Sequence, residues 1–157
     1  MPEISTKLRL LHFRSGDKDY AMDLSYVKEI IRMAALMKVS ELPDFVKGII
    51  NLRGETLPAI DFLSRSRAGE TPIQLKTRIV IMKIKDVTLG LIVDEVKETV
   101  EIDENTVSRN IQTDVVIDPK YITGTFLLND HMIIWVDMLK LFTASEFTQL
   151  EKGAVHA

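Results

Sequence analysis

With 157 residues, 46% of them hydrophobic, the chain can bury one sizeable core or the cores of two small lobes. Its 20 Lys and Arg against 23 Asp and Glu leave a formal net charge of −3, which gives no basic footprint for nucleic acid. The absence of cysteine excludes disulfides, thiolate metal sites and a cysteine nucleophile.

The N-terminus MPEISTKLRL has no basic region followed by an apolar stretch. No apolar run approaches the roughly 20 residues that span a bilayer. A soluble, cytoplasmic protein is expected, without direct membrane insertion. In chain order, short β-type runs alternate with turn signals. KLRLLHF (7–13) and DYAMDL (19–24) flank Ser15-Gly16-Asp17 and predict a hairpin. Ser25 is a candidate N-cap for one helical turn, after which a strand resumes through Ile30 and Ile31. VKGIINLR (46–53) and TLPAIDF (56–62) predict a second hairpin around Gly54-Glu55, with Pro58 expected at a strand edge or bulge. The polar stretch 64–76 reads as an exposed linker. TRIVIMKI (77–84), VTLGLIVD (87–94) and VKETVEI (96–102) read as strands, and 103–120 as a mobile loop. YITGTFLL (121–128) and HMIIWVD (131–137) predict a last hairpin at Asn129-Asp130. A helix is expected from Met138 to Leu150, with fraying from Lys152.

Two blocks repeat in order. Residues 7–31 align without gaps on 76–100, an offset of 69, so that Val27, Lys28 and Glu29 meet Val96, Lys97 and Glu98. Residues 48–63 align on 124–139, an offset of 76, so that Gly48 meets Gly124 and Asp61 meets Asp137. The expected fold is all-β: one domain over 1–157, with two similar five-stranded barrel lobes at 7–63 and 76–143. A short C-terminal helix and tail would occupy 144–157. Strand exchange between the lobes is compatible with the repeat. Each lobe alone has a marginal core, so the two should share an apolar face.

Nothing points to catalysis. His12, His131 and His156 lack metal-ligand spacing, the glycines are dispersed, and no pattern pairs two carboxylates for proton transfer. No metal, cofactor or catalytic residue is assigned. The densest signal is VKGIINLRGETLPAID (46–61). Gly54 suits a turn with positive φ, and Gly48 within a strand suggests a bulge or close approach by another backbone. Arg53 offers a planar fork for a carboxylate.

This segment resembles the signature of the CheW family, V-K-G-x-x-N-L-R-G-x-x-x-P-x-x-D. Gly16 to Ile30, Gly90 to Val96 and Tyr121 to Gly124 agree with further elements of that family in the same order, over roughly 7–143. Met33 to Val39 and 103–120 depart from its proline pattern. The resemblance implies two SH3-like lobes and an adaptor, not an enzyme. The partners it implies are the cytoplasmic helical tip of chemoreceptors and the regulatory domain of a CheA-type histidine kinase. Carried over residue by residue, receptor binding falls to Val27, Gly48, Arg53 and Val96 in a groove between the lobes. Glu29, Asn51 and Gly54 support the groove, with Glu29 and Arg53 as a partly buried ion pair. Ile30 and Met33 are the kinase-facing candidates. A CheA-derived or CheV-type module is the alternative within the family. A β-barrel hydrolase, a small-ligand carrier and a nucleic-acid-binding barrel are the alternatives outside it.

Overall fold

The computed structural model describes residues 6–38, 42–66, 68–110 and 117–156. The strands are β1 (Lys7–Ser15), β2 (Lys18–Asp23), β3 (Val27–Arg32), β4 (Gly48–Leu52) and β5 (Glu55–Asp61). After the short helix α1 (Phe62–Arg65) come β6 (Arg78–Ile84), β7 (Val87–Val93), β8 (Glu95–Asp103), β9 (Ile122–Leu128) and β10 (His131–Val136). Helix α2 (Ala144–His156) closes the chain. One sheet has the order β8-β1-β2-β10-β9 and the other β3-β6-β7-β5-β4.

Neither sheet is built from one half of the chain. β1 and β2 are completed by β8, β9 and β10, while β6 and β7 are completed by β3, β4 and β5. The exchange is symmetric at the level of single residues. Ala59 pairs with Gly90 on the parallel neighbour β7, and the residues aligned with them, Trp135 and Ala21, pair on β10 and β2. Ile30 opposes Val80 on β6, and the aligned residues Thr99 and Leu11 oppose each other on β8 and β1. Both antiparallel pairs shift register at the same place, beside Val27 and beside Val96. A β-bulge there sharpens the twist that a small barrel needs.

Each sheet then closes on itself. Met37, beyond the end of β3, exchanges two backbone hydrogen bonds of 2.8 Å with Ile49 on β4. Ser108, beyond the end of β8, does the same with Thr125 on β9, at 2.8 and 2.9 Å. The two edges of each sheet are thereby joined, which removes part of the exposed edge that an open sheet would present.

Three apolar clusters follow from this arrangement. Leu10, Ala21, Phe126 and Ile133 fill the first barrel, and Ile50, Leu57, Ala59, Ile79, Ile81 and Ile92 fill the second. The largest cluster lies where strands of both sheets meet, with Leu11, Phe13, Tyr20 and Met22 against Val80, Met82, Leu89 and Leu91. Phe13, Tyr20 and Phe62 meet there with ring centroids 4.9–5.6 Å apart. Successive side chains of a strand point to opposite faces, so each inner strand serves its own barrel and the shared core at once.

Several local expectations change. Asp23, not Ser25, caps the 3-10 turn Leu24–Tyr26, because its carboxylate reaches the Ser25 amide at 2.9 Å. Pro58 lies in the interior strand β5, opposite Ile49. It is tolerated because the parallel ladder with β7 begins only at Ala59, beyond the missing amide hydrogen. The 64–76 linker is partly buried: the Asp61 carboxylate accepts hydrogen bonds from the Thr71 amide and hydroxyl and from the Leu63 amide. Within 103–120, residues 111–116 lie outside the described residues. The remainder contains 3-10 turns at Glu104–Thr106 and Pro119–Tyr121 and the Ser108 closure. The C-terminal helix does not start at Met138. A 3-10 turn at Met138–Lys140 comes first, and α2 begins at Ala144 and runs to His156. Thr143 and Glu146 cap it reciprocally: the Thr143 hydroxyl accepts from the Glu146 amide, and Glu146 accepts from the Thr143 amide.

Candidate functional site

The β4–β5 hairpin turns through Arg53 and Gly54, with φ of 51° and 86°. Two consecutive positive φ values match the twist of antiparallel strands, and glycine meets the second without strain. The Asn51 side-chain oxygen accepts a 3.2 Å bond from the Gly54 amide and fixes the turn. Nothing lies within 4 Å of where a Gly54 Cβ would stand, so backbone conformation alone asks for glycine here.

The turn projects Arg53 across the barrel mouth to Glu29 on β3. The two guanidinium nitrogens donate to the two carboxylate oxygens at 2.8 and 3.0 Å, a forked pair. The hydrogen bond from Arg53 holds the Glu29 carboxyl below the usual carboxylate range, and Arg53 is raised in turn. The pair is not buried as expected, since the Arg53 side chain is 72% exposed. Its position at the tip of a two-residue turn leaves nothing above it. Solvent screens an exposed pair of this kind, so breaking it should cost the fold little. The pair borders a cleft of about 310 Å³ with Lys28, Glu55, Leu57 and Thr88, at the mouth of the second barrel.

The other expected contact residues are spread more widely. Val27 begins β3, two residues before Glu29, and is half-buried against the shared core. Val96 holds the aligned position on β8 in the other sheet, opposite Phe13, and is half-buried against the same core. Gly48 lies at the opposite end of β4 from Arg53. A Cβ on it would stand 2.9 Å from Leu36 Cβ and 3.1 Å from the Met37 carbonyl, so the backbone that approaches it is the chain's own closing segment. Gly124 has the equivalent role, with Val107 and Ser108 above it. Ile30 is 41% exposed, whereas Met33 is half-buried, packed against the core of the second barrel on one side and bordering an open groove on the other.

A second cleft of similar volume lies under Lys38, Phe45 and Arg65. Its charges are largely internally engaged. Lys47 pairs with Glu70, and the Arg65 fork grips Glu146 at 2.7 and 2.9 Å while its Nε donates to the Leu141 carbonyl at 2.6 Å. His12 is buried and bonded to Asp19 at 2.8 Å, and His131 is exposed at the start of β10. Among the described residues, no three His, Asp or Glu side chains are grouped so as to hold a metal ion.

Residues 9–146 match the model of the CheW-like domain. The chain is 26% identical to the chemotaxis protein CheW of Klebsiella aerogenes over 144 residues, covering 92% of this chain and 87% of that one. It is 33% identical to CheW of Bacillus subtilis over 103 residues, covering 66% of each. The crystal structure of the scaffolding protein TtCheW from Thermoanaerobacter tengcongensis superposes with a TM-score of 0.77 at 31% identity, covering 92% of this chain and 93% of that one. A family match over most of the chain, together with the twin five-stranded sheets, establishes that the chain belongs to the CheW-like domain family.

Proposed function

We propose that this chain couples transmembrane chemoreceptors to a CheA-type histidine kinase by binding both. Family membership makes it a chemotaxis scaffold rather than an enzyme. The observation that carries the finer reading is the exposed Arg53–Glu29 fork, held over the mouth of the second barrel by a turn with two positive φ values. A helical receptor tip would lay an apolar stripe along the half-buried Val27 side of β3, with Arg53 fixing its register. Val96, on the other sheet, would border the same tip from the far side of the shared core. The regulatory domain of the kinase would take a separate face that includes Ile30. No helix among the described residues is long and apolar enough to cross a membrane. Recruitment to a receptor array would then depend on the cytoplasmic parts of these partners.

The test is reconstitution from purified parts. Graded amounts of the protein are added to receptor fragments and kinase, and phosphorylation of the kinase is followed. Kinase activity should rise only when all three are present, and a ternary complex should elute together in gel filtration. An activity that stays at the two-component level across the titration refutes the coupling role.

A further inference from the structure

The second barrel has another mouth, at the far end of β3, and its chemistry is unlike that at Arg53. An open groove of about 670 Å³ lies there between Met33 and Ala34 on one side and Ile73 and Leu75 of the β5–β6 connection on the other. Leu75 is 97% exposed and Ile73 64%, although both belong to a connection whose Thr71 and Ser66 are buried. The connection is therefore anchored, and it holds the two apolar side chains outward.

The charges beside the groove are of one sign. Arg32 lines it, and Arg78 stands directly opposite Arg32 on the adjacent antiparallel strand. Like charges facing each other across a strand pair are destabilising. Neither arginine, nor the exposed Lys76 nearby, has a carboxylate partner among the described residues. Arg78 uses one nitrogen for the Leu75 and Thr77 carbonyls, at 2.8 and 3.0 Å, which ties the exposed leucine to the basic edge. Elsewhere Arg53 and Arg65 are each forked onto a glutamate, so the lack of one here is local.

An apolar groove with an unneutralised guanidinium edge complements one kind of occupant. We propose that this mouth docks an acidic amphipathic segment of a partner protein. Its apolar side chains would seat between Met33 and Leu75, and its carboxylates would neutralise Arg32, Lys76 and Arg78. The site shares no residue with the Arg53 cleft.

Arg32→Glu separates this role from a structural one. It places opposite charges across the β3–β6 pair, so the thermal midpoint should hold or rise by about 1–3 °C. Leu75→Ser should leave that midpoint unchanged, because the side chain touches little. The probe is a fluorescein-labelled synthetic peptide with leucines at helical spacing and glutamates between them, followed by anisotropy and by amide chemical shifts. Shifts should centre on Met33, Gln74 and Leu75, and binding should weaken as salt is added. Arg32→Glu and Leu75→Ser should each lower affinity by about tenfold, while Arg53→Ala should leave it unchanged. An analogue with lysine for glutamate should not bind. Absence of binding by the acidic peptide, equal binding by its lysine analogue, or shifts centred on Arg53 would each overturn the proposal. Because Arg53→Ala is included, failure here is distinguishable from failure of the receptor reading.

Discussion

At the scale of single residues, Arg53 and Gly48 come from one signature but do different physical work. Arg53 is exposed and its partner Glu29 is on β3, the opposite edge strand of the same sheet, so the pair sets a surface shape more than it stabilises the fold. Arg53→Ala should leave the thermal midpoint unchanged and weaken receptor-tip binding, with binding of the kinase regulatory domain retained. Titrations of both partners by calorimetry check this, and wild-type affinity for both removes Arg53 from the receptor site. Gly48 is the opposite case. A methyl group there meets Leu36 and Met37 at the seam that closes the second barrel. Gly48→Ala should cost about 1–3 kcal/mol in urea unfolding, and exchange of the Met37 and Ile49 amides should accelerate. The sequence left two readings of Gly48, a bulge or a close backbone approach, and the structure shows the second. The sequence could not say whose backbone, because that depends on a seam between residues far apart in three dimensions until the sheet curls.

At the scale of elements, the repeat was legible because aligned residues keep aligned ladder positions, as Ile30–Val80 and Leu11–Thr99 do. The partition of strands between barrels was not legible. Alternating apolar and polar residues fix which face of a strand is buried, but not which sheet receives it, and β3 suits either. Burial of the 64–76 connection was missed for a related reason: its anchor, the Asp61 carboxylate, lies in the preceding strand. The boundary of α2 was written in the sequence as Thr143-x-x-Glu146, a capping box, and the apolar run before it hid the signal. Glu146 also takes the Arg65 fork, and the Arg65 guanidinium lies 5.4 Å from the Phe45 ring centroid and 5.5 Å from that of Phe142. Helix α2 is thus tied to α1 and to the segment that enters β4. Glu146→Gln should cost about 1–3 kcal/mol by chemical denaturation, and Glu146→Ala more, since it also removes the bond to the Thr143 amide. Equal stability of Glu146→Ala and wild type would mean that Phe147 and Leu150 hold the helix by burial alone.

At the scale of the whole molecule, the two barrels share a core and should unfold as one unit, and Tyr20 reports on that core. It lies on β2, stacked on Phe13 and edge-on to Phe62, where strands of both sheets meet. Burial pushes its phenol up to about 12 from the usual 10.0, because the phenolate would lose its hydration inside the core. Between those two values the unfolded chain releases a proton that the native chain keeps. The unfolded state is therefore favoured progressively as pH rises through this window, and the stabilisation present below about pH 10 is lost toward pH 12. Tyr20→Phe keeps the ring contacts and removes the ionisation. Its stability should fall less steeply than that of the wild type across the same window, measured by urea unfolding at stepped pH. Tyr26 is also raised, by burial and then by Asp137 and Asp23, but it is half-buried at the end of a 3-10 turn, so Tyr26→Phe should flatten the curve less. If both barrels depend on the Tyr20 cluster, amide exchange in β1 and in β6 should accelerate together as the phenolate forms. Acceleration confined to one sheet would show that the shared core couples the barrels only weakly, and that a partner could loosen one without disturbing the other.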